Sequence, residues 1–124
     1  VGSGKTIVAI LSAALAAGNN SQVAVMAPTE ILASQHFNAF KKELSKARVT
    51  CCLLVGKMNK KDRDKIIANI ESGKITVVIG THALIQKDVE FEKLRLVIID
   101  EQHRFGVDQR NKLTNKVRIL IYYV

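Results

Sequence analysis

The stretch Gly2-Ser3-Gly4-Lys5-Thr6, running straight into Ile7-Val8-Ala9-Ile10-Leu11-Ser12-Ala13-Ala14-Leu15, decides how the rest of the chain is read. Small residues leave the backbone bare, so several N–H groups can surround an anion. The helix expected over 5–17 points its positive end at the same place. In that setting Lys5 reaches the β and γ phosphates of a nucleotide, and the Thr6 hydroxyl holds Mg²⁺. The full pattern, G-x-x-x-x-G-K-[ST], has its first glycine two places before Val1, outside the chain. A glycine-rich helix start without any ligand spells the same letters, so the loop needs a second signal.

Outward from that stretch, helical and strand patterns alternate. The first helix stops at Gly18-Asn19-Asn20, a helix-ending composition. An apolar run over 22–27 reads as a buried strand. Leu32, His36 or Phe37, Phe40 and Leu44 recur along 31–45 as the inner stripe of an amphipathic helix, with Thr29 as its N-cap. A strand over 49–55 ends at Gly56. A helix over 59–72 carries Ile66, Ile67 and Ile70 on one side and is closed by Gly73. A strand over 75–79 ends at Gly80, a short helix starts near Thr81, and two more strands cover 96–100 and 118–123. Strands joined through helices pair in parallel with right-handed crossovers. Their continuously apolar runs require helices on both sheet faces. The expected fold is α/β: one doubly wound, mainly parallel sheet in a single domain.

The second signal is Leu96-Val97-Ile98-Ile99-Asp100-Glu101. A buried strand ending in an acid puts that acid at the carboxyl edge of the sheet, where open α/β folds bind ligands. Alone, two acids after a strand are an ordinary exposed turn. With the phosphate loop upstream they form a nucleotide-hydrolysis site. Asp100 holds Mg²⁺ through water, and Glu101 orients and deprotonates the attacking water. A kinase of small molecules has no use for that glutamate.

Composition is compatible with this site. The chain has 124 residues, 48% of them apolar, which favours one folded core over disorder. Nineteen Lys and Arg against eleven acids give a net charge of +8. That excess suits a polyanion (nucleic acid, nucleotide or an acidic membrane surface) and equally a solvated basic surface. No apolar run reaches membrane-spanning length, and the first residues are no secretion signal. Cys51 and Cys52 are adjacent on a strand and face opposite sides, which suits reduced thiols and a cytoplasmic protein better than a metal site. Both ends look abrupt, so the chain reads as truncated at each.

Two further turns, Pro28-Thr29-Glu30 and Gly80-Thr81-His82, each follow a strand and precede a helix. They belong on the same sheet edge as Asp100. Their N–H groups can hold the phosphates of a nucleic-acid backbone, or Thr29 and Thr81 can simply cap helices.

Four blocks, Gly2-Ser3-Gly4-Lys5-Thr6, Ala27-Pro28-Thr29-Glu30-Ile31-Leu32-Ala33, Gly80-Thr81-His82-Ala83-Leu84-Ile85-Gln86 and Asp100-Glu101-Gln102-His103-Arg104-Phe105-Gly106-Val107, come in the order of a superfamily 2 helicase. Together they resemble the RecG family of ATP-dependent branched-DNA helicases, over nearly the whole chain to about Arg110. The resemblance implies part of the first of two RecA-like motor domains. Gly2, Ser3, Gly4, Lys5 and Thr6 then bind ATP and, with Asp100, Mg²⁺. Lys5, Asp100 and Glu101 serve catalysis. Gln102 and His103 couple the ATP site to DNA. Pro28, Thr29, Glu30, Gly80, Thr81 and His82 touch the backbone of branched DNA. His36 receives no role.

The chain departs from the family in lacking the strand before Val1 and the Thr-Ala-Thr block expected after 111–116. The second motor domain with its arginine fingers, and the fork-gripping domain, lie outside it. Two rival readings are a transcription-repair coupling translocase of the Mfd type and a truncated remnant that binds nucleotide without turnover.

Overall fold

The computed structural model describes residues 3–100 and 120–123, with side chains described over 7–100. The first helix, α1, spans Ser3–Gly18. It buries Ala9, Ile10 and Ala13 while Ile7, Leu11 and Leu15 stay exposed, so it is apolar on more than one side. Asn20, at φ 59°, takes the left-handed turn that releases the chain into β1, Gln22–Met26. Helix α2, Glu30–Leu44, begins where the Thr29 hydroxyl accepts from Leu32 N–H at 3.2 Å, and a short 3₁₀ turn, Ser45–Ala47, extends it. Strand β2 is Cys51–Leu54. Helix α3, Lys60–Glu71, is capped by Asn59, whose side chain accepts from Asp62 N–H at 2.8 Å. Gly73, at φ 82°, turns the chain toward β3, Val77–Gly80. A 3₁₀ helix, His82–Ile85, follows, then β4, Leu94–Ile99, and β5, Leu120–Tyr123.

The five strands form one sheet in the order β2-β3-β1-β4-β5, every pair parallel. Alternate residues of each strand serve opposite faces. Val23, Val25, Ile79 and Ile98 pack under α1 and α2 with Phe40 and Leu44. Ala24, Met26, Val78, Val97 and Ile99 pack under α3 with Ile67 and Ile70. The sheet is therefore covered on both sides, as the unbroken apolar runs require. The doubly wound α/β expectation holds.

The elements lie within a few residues of their expected places, and the differences have physical causes. Strand β2 is shorter than its apolar run over 49–55 because burial extends past the hydrogen-bonded ladder. Strand β4 starts two residues earlier than expected: exposed Arg95 interrupts the apolar pattern, but Leu94 still pairs with Gln22. The short helix after Thr81 is a 3₁₀ turn, and Thr81 makes no side-chain cap bond. The backbone closes that turn instead, from Leu84 N–H to Thr81 C=O at 3.1 Å. The expected capping role holds for Thr29 and fails for Thr81.

Gln22 is buried at 4% exposure, the only buried polar residue among those described. Its amide nitrogen donates to Ile70 C=O and Ile75 C=O, each at 2.9 Å, and its amide oxygen accepts from Lys93 N–H at 2.8 Å. Every strong group of the carboxamide is thus paired, and one side chain joins the end of α3 to the approaches of β3 and β4. This staple lies at the amino edge of the sheet.

Candidate functional site

The carboxyl edge of a parallel sheet is where its strands release their turns, and β1, β3 and β4 end there level with one another. Met26 pairs with Gly80 on one side and with Ile99 on the other. The ladder continues one step beyond the strands: Ala27 N–H donates to Gly80 C=O at 2.9 Å, and Asp100 N–H donates to Met26 C=O at 3.0 Å. Pro28, Thr29 and Glu30, then Thr81 and His82, and finally Asp100 leave the sheet side by side. These residues lie more than fifty positions apart in sequence at the extremes. Helix α1 runs into β1 across one sheet face, so its first turn, Ser3 to Thr6, starts at this same edge. Its backbone N–H groups are those that have no partner within the helix.

Each expected residue can now be placed. Ser3, Gly4, Lys5 and Thr6 open α1. Gly2, Glu101, Gln102 and His103 lie outside the described residues. Thr29 is exposed and caps α2, with Pro28 and Glu30 partly covered beside it. His82 is exposed and Thr81 partly so. Gly80 is different. It is buried, and a β-carbon there would run into the Leu54 carbonyl of β2. The close approach of two strands already demands a glycine, whatever the turn contacts.

Both the backbone and the side chain of Asp100 are held. Besides its backbone bond to Met26, its Oδ2 lies 2.8 Å from His36 Nε2. The two side chains are only 12% and 19% exposed. An ionised carboxylate can only accept, so the imidazole N–H donates. His36 sits two turns into α2 from Thr29, on the stripe that also carries Ala33, Phe40 and Leu44. Its ring meets Phe40 edge-on, with centroids 6.5 Å apart and planes at 79°. Sequence reading placed His36 on this inner stripe and gave it no role. The available signal was its polarity: a polar ring on a core-facing stripe needs a partner.

A divalent ion fits this donor set in one way. Among the described residues no group of three or more His, Cys, Asp or Glu could hold a metal. A single carboxylate would suit Mg²⁺, an ion that usually keeps several waters and is held by one or two carboxylates together with phosphate oxygens. The cysteines stay apart from the edge. Cys51 packs toward α2 and Cys52 toward α3, both are unpaired thiols, and burial pushes the Cys51 thiol up to about 12. Arg63 on α3 grips the segment after the 3₁₀ turn, donating to Asp88 Oδ2 and Gln86 Oε1 at 2.6 Å each. No helix among the described residues is long and apolar enough to cross a membrane.

Comparison with known proteins agrees with this fold. The family model described as DEAD/DEAH box helicase matches residues 1–122. The ATP-dependent DNA helicase RecG of Haemophilus influenzae is 53% identical over 116 residues, covering 94% of this chain and 17% of that protein. RecG of Thermotoga maritima is 49% identical over 120 residues, covering 97% of this chain and 15% of that protein. Among solved structures, RecG bound to a three-way DNA junction superposes with a TM-score of 0.76 at 43% identity, over 98% of this chain and 16% of that one. The DNA-bound helicase MrfA shares the fold, with a TM-score of 0.79 at 16% identity over 96% of this chain and 18% of that one. The chain thus spans less than a fifth of the length of these RecG relatives.

Proposed function

We propose, from the premise that this chain belongs to the DEAD/DEAH box helicase family, that it is part of the first of two motor domains in a RecG-type helicase. On this reading the whole protein hydrolyses ATP to move on branched DNA and remodel forks and junctions in the cytoplasm. The observation that carries the reading is the alignment of three turns and the α1 start along one sheet edge, with Asp100 stitched between them. The RecG relatives favour this type over a transcription-repair coupling translocase.

The backbone of Gly2, Ser3 and Gly4 cradles the nucleotide phosphates, and Lys5 neutralises the β and γ groups. Thr6 and Asp100 would hold Mg²⁺, which would supply neutralisation of charge on the phosphate oxygens. Glu101 orients the attacking water and takes its proton. Gln102 and His103 link that site to the DNA track. The turns Pro28-Thr29-Glu30 and Gly80-Thr81-His82 meet one strand through its phosphates, with no sequence preference. Motion needs a second domain to close against, so one domain alone does not translocate.

The test separates binding from chemistry, in a full-length RecG relative carrying this segment. Lys5 meets phosphates already present in the ground state, whereas Glu101 acts on the water. Glu101→Gln is expected to keep nucleotide affinity and lose turnover, and Lys5→Ala to lose affinity itself. Near wild-type turnover in Glu101→Gln would remove the assigned base.

A further inference from the structure

We infer that His36 is a positioning residue for the metal site: it holds the Asp100 carboxylate in the orientation that meets Mg²⁺. The inference rests on the nucleotide-site reading above, and His36 itself lies outside the four helicase blocks. The two side chains come from positions 64 residues apart and meet at 2.8 Å, the short end of the N–H···O range and typical of a charged acceptor.

Each partner is itself restrained. The Asp100 backbone is pinned to Met26 at 3.0 Å. The imidazole is backed by Phe40, which is 1% exposed and so fixed in the core. Both polar groups are largely shielded from water, so solvent competes weakly for the bond. The backbone bond fixes where the side chain starts, and the imidazole bond restrains how the carboxylate turns. The carboxylate thus has a defined orientation before any ion arrives. Carboxylates that bind metals are commonly oriented by such a hydrogen bond, and its loss typically lowers metal affinity by about 10–100-fold.

A plain stabilising role is the rival explanation: the bond could simply bolt α2 to the sheet. The two roles separate by what they move. A bolt changes the unfolding midpoint and leaves the metal requirement of the folded protein alone. A positioning residue changes the metal requirement.

The experiment uses a full-length RecG relative carrying this segment, with wild type, His36→Ala and His36→Gln. A fluorescent, non-hydrolysable ATP analogue is titrated at graded Mg²⁺, and again with the metal chelated. Thermal unfolding is recorded for each protein. His36→Ala is expected to need about tenfold more Mg²⁺ for half-maximal binding, with unchanged affinity for the metal-free analogue. His36→Gln keeps an N–H of similar reach and is expected to recover most of that loss. It also keeps the test decisive should His36→Ala fold poorly. A wild-type Mg²⁺ midpoint in a folded His36→Ala overturns the inference. So does an equal loss of metal-free binding, or a His36→Gln protein that folds normally yet is no better than alanine. Absence of any Mg²⁺-dependent binding in wild type would instead overturn the nucleotide-site reading, and the inference with it.

Discussion

Replacing Gln22 with leucine isolates the amino-edge staple from the functional edge. Leucine matches the volume and leaves the three partners of the carboxamide behind. Ile70 C=O keeps a bond from Gly73 N–H at 3.1 Å. Lys93 N–H and Ile75 C=O each lose the partner Gln22 supplies. A buried polar group left unpaired costs about 1–3 kcal/mol, so two cost about 4 kcal/mol. The greater burial preference of leucine returns about 1 kcal/mol. The expected net loss is about 3 kcal/mol, against a typical total of about 5–15 kcal/mol, and a fall in Tm of about 12 °C. A cavity of about 290 Å³, lined in part by Ser21, Gln22, Gly73, Thr76 and Lys93, admits water that can re-pair a lost group, which sets the lower bound near 1 kcal/mol. Urea unfolding followed by far-UV circular dichroism measures the change. Gln22→Glu should do worse than leucine, because a carboxylate offers no N–H to the two carbonyls and sets a negative charge against them. A Gln22→Leu protein within about 0.5 kcal/mol of wild type, or a glutamate variant more stable than the leucine one, would refute the reasoning.

Three other outcomes are expected. Thr29→Ala should cost about 1 kcal/mol of stability, while Thr29→Ser stays near wild type, because either hydroxyl can accept from Leu32 N–H; equal losses in chemical denaturation would count against the cap. Cys51, raised to about 12 by burial, should be thiolate at pH 8 only on the order of one part in ten thousand, so alkylation of the folded chain should be at least about 100-fold slower than in denaturant. The same shift fixes a sign: with the folded value above the usual 9.0, this contribution to stability is complete below about pH 9 and declines between about pH 9 and 12, so a Cys51→Ala variant should show a shallower alkaline loss. Finally, DNA affinity of the full-length relative should fall linearly with salt on a log–log scale and show no base preference; salt-independent binding would remove phosphate contact as its basis.

The residues themselves determined whatever depends on near neighbours. The glycines before Lys5, the stop at Asn19 and Asn20, the stripe through Phe40 and Leu44, and the apolar run into Asp100 are local patterns. Each acts through hydrogen bonds or periodicity within a few residues, so the α/β class and the strand-edge position of Asp100 were legible without coordinates. The blocks that resemble RecG were legible for a different reason: they are literal strings. What needed the tertiary structure was everything joined across distance. The order β2-β3-β1-β4-β5 is chosen by how helices cover two faces, and no single strand encodes it. Gly80 reads as part of a contact block, yet the packing of β2 against β3 already excludes a β-carbon there. Thr81 has the letters of a cap and makes no side-chain cap bond; the backbone closes that turn, from Leu84 N–H to Thr81 C=O. His36 meets Asp100 only when α2 lies across the sheet at one particular height, which depends on Phe40, Leu44 and the strands beneath them together. A hydrogen bond between residues 64 apart is the product of the whole packing arrangement, and no local pattern carries it.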